Sequence, residues 1–156
     1  MSKKQYWLMK SEPDAYSIDD LKRDESIHWS GVRNYEARNI MRDRMKIGDR
    51  AFFYHSNVKP PVIVGEMEVC SEPYPDKFQF DPNSKYFDEK SSESNPRWQL
   101  VDVKFIRKFE EPVSRDMLKE DESLLEMQLF KRNRLSITEV TEEEYKKILD
   151  LAGVKN

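Results

Sequence analysis

A-F-F-Y-H-S-N, residues 51–57, is a run of apolar and aromatic residues that ends in three polar ones. Such a run predicts a buried β-strand, and its polar end indicates that the chain leaves the core there. Because successive strand side chains point to opposite faces, we expect Tyr54 and Ser56 on one face and His55 and Asn57 on the other, until the turn redirects them. The segment therefore predicts a rigid strand with a small polar site at its end, at which Ser56 and Asn57 are the candidates for ligand contact.

The length and composition of the chain are typical of one globular domain with a heavily charged surface. At 156 residues the chain can form one hydrophobic core but not two ordinary domains, so we predict a single domain over residues 1–156. Charged residues make up 37% of the chain, and the aromatic share of 12% supplies enough large apolar side chains to stabilise a core.

The cysteine and histidine content argues against a disulfide or zinc scaffold. Cys70 is the single cysteine, and one cysteine with two histidines cannot build a four-ligand zinc site. The N-terminal M-S-K-K-Q-Y-W lacks the apolar region of a signal peptide, and no stretch approaches the roughly 20 apolar residues that span a bilayer. We therefore expect no metal, cofactor or membrane contact, and a location in the cytoplasm or, in a eukaryotic cell, the nucleus.

Strand and helix signals alternate along the chain. Strand-like runs occupy residues 6–9, 51–57, 62–70, 98–109 and 134–140. Helix starts are indicated by Ser17 before Ile18, by Ser114 before Met117, and by the capping box of Thr141 and Glu144. Non-local strands interleaved with short helices predict an α+β fold, a small mixed β-barrel or curled sheet with helices packed around it.

Two further segments bear on a possible site. Residues 34–45 carry apolar residues at helical spacing, which predicts one amphipathic helix with Arg38 and Arg42 on its outer face. Residues 71–96 show no periodicity but contain five aromatic residues. A connection of this length predicts a binding loop or a partly mobile one, and its aromatic residues favour a loop that packs on the rest of the domain.

The charges are unevenly distributed along the chain. The net charge of -3 argues against a protein that coats nucleic acid generally. Residues 33–50 nevertheless carry six basic and three acidic residues, and Lys131, Arg132 and Arg134 form a second basic group. Residues 110–128 carry seven acidic residues and two basic ones. One positive face on an acidic body is the least that a phosphate backbone requires, although ordinary solvated helix faces give the same pattern.

The three tryptophans, Trp7, Trp29 and Trp98, each stand beside a polar residue or a turn. Aromatic rings hold a planar base by stacking while polar groups read its edge, so a base-sized pocket is a reasonable hypothesis. Core packing is the stronger interpretation for Trp7, which lies in a strand-like run. For Trp29 and Trp98, both interpretations stay open.

Five motifs together resemble the EVE domain in order and spacing. They are Y-W-L-M-K-S-E-P at residues 6–13, W-S-G-V-R-N-Y-E-A-R-N at 29–39, G-D-R-A-F-F-Y-H-S-N at 48–57, I-V-G at 63–65 and R-L-S at 134–136. The match covers essentially the whole chain, and the length of the motifs makes it specific. The resemblance implies a PUA-like fold, a small mixed β-barrel surrounded by short helices, related to the YTH and ASCH domains.

The resemblance also implies a function. EVE domains resemble readers of modified bases, notably 5-methylcytosine and its oxidised forms in DNA, which hold a flipped base in an aromatic pocket. The base-binding residues implied here are Lys10, Ser11, Trp29, Asn34, Tyr35, Ser56, Asn57 and Trp98. The expected phosphate contacts are Arg134 and Ser136, together with Arg38 and Arg42 of the basic helix. We expect a monomer whose partner is nucleic acid bearing a modified base, with DNA favoured over RNA.

The turn after the quoted strand departs from the family pattern. Where P-G-I-V-G is typical, this chain has Pro61-Val62-Ile63-Val64-Gly65. Valine does not readily adopt the positive φ that glycine permits, so we expect a turn of different shape. The difference bears on ligand preference more than on the fold.

Two other functions stay open. His55 and Ser56 are neighbours in sequence, as a general base and a nucleophile could be. Adjacent strand residues point to opposite faces, however, so we expect His55 to be a hydrogen-bonded structural residue. Without a Gly-rich phosphate loop, metal-ligand spacing or distinctive paired carboxylates, we expect no catalytic residue and no enzyme. The alternatives are a small enzyme acting on nucleic acid or nucleotides, an RNA-binding protein with a similar pocket, and an interaction protein that uses the acidic surface of residues 110–128.

Overall fold

The structure, a computed structural model, describes residues 4–154. Its strands are β1 Tyr6–Ser11, β2 Ser26–His28, β3 Arg50–His55, β4 Val62–Val69, β5 Tyr74–Pro75, β6 Gln99–Leu100, β7 Asp102–Ser114 and β8 Ile137–Val140. Its α-helices are α1 Ile18–Asp24, α2 Tyr35–Asn39, α3 Arg115–Lys119, α4 Gln128–Lys131 and α5 Glu142–Leu151. Residues 1–3 and 155–156 lie outside the described residues. They are the two ends of the predicted 1–156 domain, and residues 1–3 also begin the N-terminal segment M-S-K-K-Q-Y-W discussed above.

Six of the strands form one strongly curled sheet, a half-barrel with the order β2-β7-β4-β3-β1-β8. Strands β1 and β3 are parallel, and the other neighbouring pairs of this sheet are antiparallel. Strands β5 and β6 form a separate two-stranded ribbon. The α+β prediction of a small PUA-like mixed barrel surrounded by short helices is therefore confirmed.

The parallel pair β1 and β3 brings the polar ends of both strands to the same end of the sheet. Lys10 is the Cα partner of Tyr54, and Ser11 is the partner of His55. The pairing continues one step further, because the Ser56 backbone N–H donates to the Ser11 carbonyl over 3.1 Å. Polar residues that are 45 positions apart in sequence thus become neighbours.

Alternation along these strands builds two hydrophobic clusters, one on each face of the sheet. Trp7 and Phe53 belong to the first cluster, and Leu8 and Phe52 belong to the second. The prediction that Trp7 packs in the core is confirmed, because its side chain is 0% exposed and its indole Nε1 donates to Asp49 Oδ2 over 3.1 Å. The sheet is therefore buried on both sides, as its aromatic content requires.

The single helix predicted over residues 34–45 is interrupted. Asn34 caps α2 as expected from its position, but α-helical geometry ends at Asn39, and residues Ile40–Arg44 form a π-helical turn. The Met45 N–H donates to the Ile40 carbonyl over 2.9 Å, which is the five-residue spacing of a π turn. Ile40, Met41 and Met45 are all buried, which agrees with the amphipathic pattern of the segment, but that pattern does not indicate the π turn.

The turn between β3 and β4 places its left-handed residue at Asn57, with φ of 57°. Val62 lies in extended conformation as the first residue of β4, opposite His55. The valine that departs from the family pattern therefore does not occupy a position of positive φ, and the turn contains a cis peptide between Lys59 and Pro60.

The long connection between β4 and β7 packs against the rest of the domain. It contains β5, a 3₁₀ turn at Lys77–Phe80, and β6. At its centre the buried Gln79 donates to the Asp76 and Trp98 carbonyls, each over 2.8 Å. The expectation that this segment packs on something is confirmed.

Local capping signals were accurate predictors of helix starts. Ser17 and Thr141 form complete capping boxes at α1 and α5, and Ser114 caps α3.

Across residues 4–154, none of these helices has the length and apolar character needed to cross a bilayer.

Candidate functional site

Two adjoining cavities open where β1, β3 and the start of β8 meet, each with a volume of about 670 Å³. Volumes of this size fall within the range of roughly 300–1,000 Å³ that is common for ligand pockets. Both cavities are lined by a shared wall of Lys10, Ser11, Glu12, Arg134 and Ser136. One cavity contains the rings of Trp29 and Tyr86 and is called the aromatic cavity, and the other contains Arg115 in addition to Lys10 and Arg134 and is called the basic cavity.

Trp29 forms one wall of the aromatic cavity. It follows β2, and its backbone N–H donates to the Val101 carbonyl over 2.9 Å, which fixes the chain beside β7. Its ring meets Phe53 of the core edge-on, with centroids 5.5 Å apart and planes at 81°. Trp29 is only 8% exposed and also lines the aromatic cavity. It is therefore both a core residue and a cavity wall, so the two interpretations of its sequence context are compatible.

Tyr86 is a second aromatic residue of this cavity, presented by the long β4–β7 connection. Its ring lies so close to Gly31 that a β-carbon at position 31 would be 2.7 Å from the ring. Gly31 also has a φ of 84°, a conformation that favours glycine. The W-S-G motif thus contains a glycine because the backbone must both turn sharply and accept a ring against it.

A buried carboxylate holds the connection in place beside Gly31. Asp76 is 1% exposed, accepts from the Gly31 N–H over 2.8 Å, and pairs with Arg33 Nη1 at 3.1 Å. Arg33 in turn donates through Nε and Nη2 to the Tyr86 carbonyl at 3.1 and 2.9 Å. Tyr86 therefore has a fixed backbone position, although its sequence gave no periodic signal that singled it out from the other aromatic residues of the connection.

Polar groups at the edge of the aromatic cavity are partly committed to local structure. Asn34 Oδ1 caps α2 by accepting from the Ala37 N–H over 3.0 Å, which leaves its amide nitrogen for other contacts. Ser11 Oγ donates to the Tyr16 carbonyl over 2.7 Å. Lys10 Nζ donates to the Asn133 carbonyl over 2.8 Å, and burial, reinforced by the charge of Arg115, lowers the pKa of Lys10.

Ser56 and Tyr54 line the basic cavity, together with Arg115. Their common location agrees with the strand alternation predicted for them. Asn57, in contrast, is exposed in the following turn and lines neither cavity within the described residues. Arg134 and Ser136, the predicted phosphate contacts, lie on the shared wall.

Trp98 and Tyr35 lie beside the cavities instead of lining them. Their rings stack with centroids 4.8 Å apart and planes at 22°, and Trp98 Nε1 donates to Asp88 Oδ2 over 2.7 Å. Trp98 is 6% exposed, so its ring supports the connection that carries Tyr86. The family resemblance implies Trp98 as a base-binding residue, whereas the aromatic residue that the structure brings to the cavity beside Trp29 is Tyr86.

Arg38 and Arg42 are both engaged by neighbouring residues. Arg38 donates to the Arg97 carbonyl over 2.7 Å, and its guanidinium lies 4.8 Å from the Tyr35 ring centroid. Arg42 makes paired contacts with Asp43, each 2.8 Å long. Neither arginine lines a cavity among the described residues, and Arg42 lies in the π turn that interrupts the predicted helix.

His55 and Ser56 are directed to different surroundings. His55 Nε2 accepts from the Ile18 N–H at the start of α1 over 3.3 Å, and burial lowers the pKa of His55. Ser56 lines the basic cavity. His55 is thus a hydrogen-bonded structural residue, as expected.

Within residues 4–154, no group of three or more His, Cys, Asp or Glu residues is arranged to hold a metal ion.

Comparison with known proteins places these features in a family. Residues 5–151 match the EVE domain. Thymocyte nuclear protein 1 of Rattus norvegicus is 44% identical over an alignment of 165 residues. The alignment covers 94% of this chain and 73% of the rat protein. A protein of Leishmania major superimposes with a TM-score of 0.93 at 42% identity, covering 97% of this chain and 96% of that one. The human THYN1 protein, crystallised in complex with 5-methylcytosine-containing DNA, gives a TM-score of 0.90 at 42% identity, covering 97% and 99% of the two chains.

Proposed function

The chain belongs to the EVE domain family, and we propose that it binds nucleic acid and reads one modified base, 5-methylcytosine or an oxidised form, flipped into the aromatic cavity. The main support is the combination of aromatic rings with two cationic residues, Lys10 and Arg134, in the lining of one cavity. The DNA bound by the human relative favours DNA over RNA as the partner.

The cavity has the chemistry that a flipped base requires. Unstacking a base costs a few kcal/mol, and stacking on a protein ring returns about 1–3 kcal/mol per base. Trp29 offers an aromatic surface on one side, and Tyr86 offers a second one that is fixed through Gly31 and Arg33. Two rings can therefore offset most of the cost of flipping, and edge contacts and charge supply the remainder.

Edge reading is assigned to the polar residues that border the aromatic cavity. These are Lys10, Ser11 and the free amide nitrogen of Asn34. Arg134 and Ser136 are assigned to the phosphate beside the flipped base, because phosphate contacts position a nucleic acid while base contacts specify it. Tyr35 and Trp98 would act by supporting the connection that presents Tyr86. The remaining predictions are unchanged, with Ser56 and Asn57 as base contacts and Arg38 and Arg42 as phosphate contacts.

Binding is a better interpretation of this site than catalysis. The histidine that could serve as a base accepts a backbone hydrogen bond from Ile18 and does not face Ser56 across a cavity. A general base must reach the proton that it abstracts, and His55 is held away from the cavity that Ser56 lines. Incubation with oligonucleotides and deoxynucleotides, followed by a search for products, tests this directly, and any turnover lost in Ser56→Ala would contradict it.

The function is tested by titrating fluorescent oligonucleotides that differ in one base, with cytosine, 5-methylcytosine or an oxidised form. Single- and double-stranded DNA and the matching RNA separate the possible partners. Because one buried methyl group contributes about 0.8 kcal/mol, we expect a preference of about four-fold for 5-methylcytosine over cytosine. Equal affinity for every base would contradict the reading of a modification, and no binding to any oligonucleotide would overturn the proposal.

The aromatic wall is tested with Trp29→Leu, which keeps a bulky apolar side chain in the core and removes the ring. Loss of one stacking surface should weaken binding roughly ten- to a hundred-fold. Thermal unfolding and the amide signals of an NMR spectrum show whether the variant retains its fold. A folded Trp29→Leu protein with unchanged affinity would show that the base does not stack there.

A further inference from the structure

The basic cavity contains a hydroxyl group that is not used within the described part of the protein. Tyr54 is only 3% exposed as a residue and lines the basic cavity, and its hydroxyl has no hydrogen-bond partner among residues 4–154. The hydroxyl itself is not fully buried, so it opens towards the cavity and can donate to a ligand there. Burial also raises the pKa of Tyr54, which keeps the hydroxyl protonated and able to donate.

The same cavity concentrates positive charge that is not neutralised. Lys10, Arg115 and Arg134 line it, and within the described part of the chain none of the three forms an ion pair with a carboxylate. Lys10 and Arg115 are close enough for the charge of Arg115 to disfavour protonation of Lys10, in addition to the effect of burial. An anion placed between them would relieve that repulsion.

We propose that the basic cavity is a second phosphate subsite, which takes the phosphodiester adjacent to the one assigned to Arg134 and Ser136, with Tyr54, Arg115 and, from the shared wall, Lys10 as its donors. The proposal rests on the function proposed above and adds a second site to it. A phosphodiester offers oxygens that accept hydrogen bonds and carries a negative charge. The hydroxyl, ammonium and guanidinium groups match it as donors, and two of them carry positive charge.

The position of the subsite follows from the shared wall. Lys10 and Arg134 line both cavities, so a nucleotide whose base enters the aromatic cavity has its backbone beside this wall. Glu12 is also part of the wall, and its negative charge disfavours an anion in contact with it. The phosphate is therefore expected on the far side of the basic cavity, towards Tyr54 and Arg115.

The salt dependence of oligonucleotide binding tests the subsite. A plot of log affinity against log salt has a slope that falls by about 0.7 to 0.9 for each phosphate contact that is lost. We expect Arg115→Gln to reduce the slope of the wild-type protein by this amount. The matched control is Lys146→Gln, which removes one exposed positive charge from α5, a helix that starts at the opposite end of β1 and β8, and it should leave the slope unchanged.

Tyr54→Phe provides a variant that retains the ring and its packing. Loss of a hydrogen bond to an anion should weaken oligonucleotide binding by about ten-fold, with the salt slope unchanged because the net charge is unchanged. A wild-type affinity and slope in both Arg115→Gln and Tyr54→Phe would overturn the subsite and leave the base-reading function standing.

Inorganic phosphate separates the subsite from the base-reading function. Titration of phosphate against a matched chloride series should shift the amide NMR signals of Tyr54, Ser56 and Arg115, and Arg115→Gln should lose these shifts. If no oligonucleotide binds but phosphate produces the shifts, the base-reading function is overturned and the anion subsite is supported. If neither phosphate nor an oligonucleotide affects these residues, both proposals are overturned.

Discussion

His55 is a single residue whose role is decided by one hydrogen bond. Its Nε2 accepts from the Ile18 backbone N–H, so that nitrogen must be unprotonated and the neutral ring must carry its proton on Nδ1. The ring also meets Phe53 edge-on, at a centroid distance of 5.4 Å. A protonated ring would lose the hydrogen bond and place a charge beside the core, which agrees with the pKa lowered by burial.

The lowered pKa of His55 predicts that acid destabilises the protein through this residue. In the unfolded chain the imidazole has a pKa of about 6.5, so as the pH falls through that value the unfolded state binds a proton before the folded state does. The free energy of unfolding should therefore fall from about pH 6.5 down to the lower pKa of the folded state. His55→Gln, whose amide oxygen can accept the same hydrogen bond, should show a flatter pH dependence in thermal unfolding, and an unchanged dependence would exclude His55 as its source.

Individual residues were predicted well where their interactions are local. The caps at Ser17, Ser114 and Thr141 bond to backbone groups three residues away, so the sequence alone contains the whole interaction. The roles of Trp29 and Trp98 were undecided for the opposite reason. Each depends on a partner far along the chain, Phe53 for one and Tyr35 for the other.

At the scale of elements, the connection between β4 and β7 contributes Tyr86 to the site. The connection is held to the 29–34 segment by Asp76, which accepts from the Gly31 N–H and pairs with Arg33. Its internal order rests on Gln79, whose amide oxygen accepts from the Arg97 and Trp98 N–H groups at 3.0 and 2.9 Å. The β-ladder of this segment is limited to the two residue pairs of β5 and β6, so its fixed shape depends also on buried side chains.

Tyr86 and its neighbour Phe87 offer a matched test of this element. Tyr86 lines the aromatic cavity, while Phe87 is 42% exposed and lines none of the cavities described. Tyr86→Ala should weaken binding to a modified-base oligonucleotide by about ten-fold, because one stacking surface is lost. Phe87→Ala, which removes an aromatic ring from the same connection, should bind like wild type, and equal losses in both variants would indicate that the connection acts only through its overall packing.

Element boundaries could be predicted where hydrophobic patterns are strong, and not where tertiary packing overrides them. Strands β1, β3 and β4 appear close to their predicted limits. The helix over residues 34–45 is divided into α2 and a π turn, which its apolar spacing does not indicate because that spacing fits one continuous α-helix. An aromatic cavity that includes Trp29 could be predicted from the sequence. Its second ring, Tyr86, could not, because no local sequence signal distinguishes Tyr86 from the other aromatic residues of its connection.

At the scale of the whole molecule, a buried carboxylate joins the sheet to the C-terminal helix. Glu66 of β4 is 2% exposed, accepts from the Tyr145 hydroxyl over 2.5 Å, and has Arg107 Nε 2.8 Å from its Oε1. Arg50 of β3 approaches its other oxygen at 3.7 Å. Strands β3, β4 and β7 and helix α5 therefore meet at one charged group, a convergence of distant residues that sequence pattern does not show.

Tyr145→Phe should lower the free energy of unfolding by about 2 kcal/mol, because a hydrogen bond to a buried charged group is lost. Tyr6→Phe is the matched control, since the Tyr6 ring packs 4.4 Å from that of Tyr145 and its hydroxyl has no partner among the described residues. Chemical denaturation measures both changes. Oligonucleotide affinity should be unaffected, because α5 starts at the end of β1 and β8 remote from the cavities, and equal stabilities of the two variants would contradict the role given to Glu66.

The parallel register of β1 and β3 also constrains how this site can vary between proteins. Lys10 and Ser11 reach the cavities from a strand whose preceding residues, Trp7 to Met9, fill both cores. A one-residue insertion or deletion in β1 would exchange the two faces of the strand, sending the lysine towards the interior and an apolar residue towards the ligand. A change of length in β1 would therefore disrupt both the hydrophobic core and the ligand contacts, because it exchanges the faces on which both depend. The site can diversify only by substitution or through the connection that carries Tyr86.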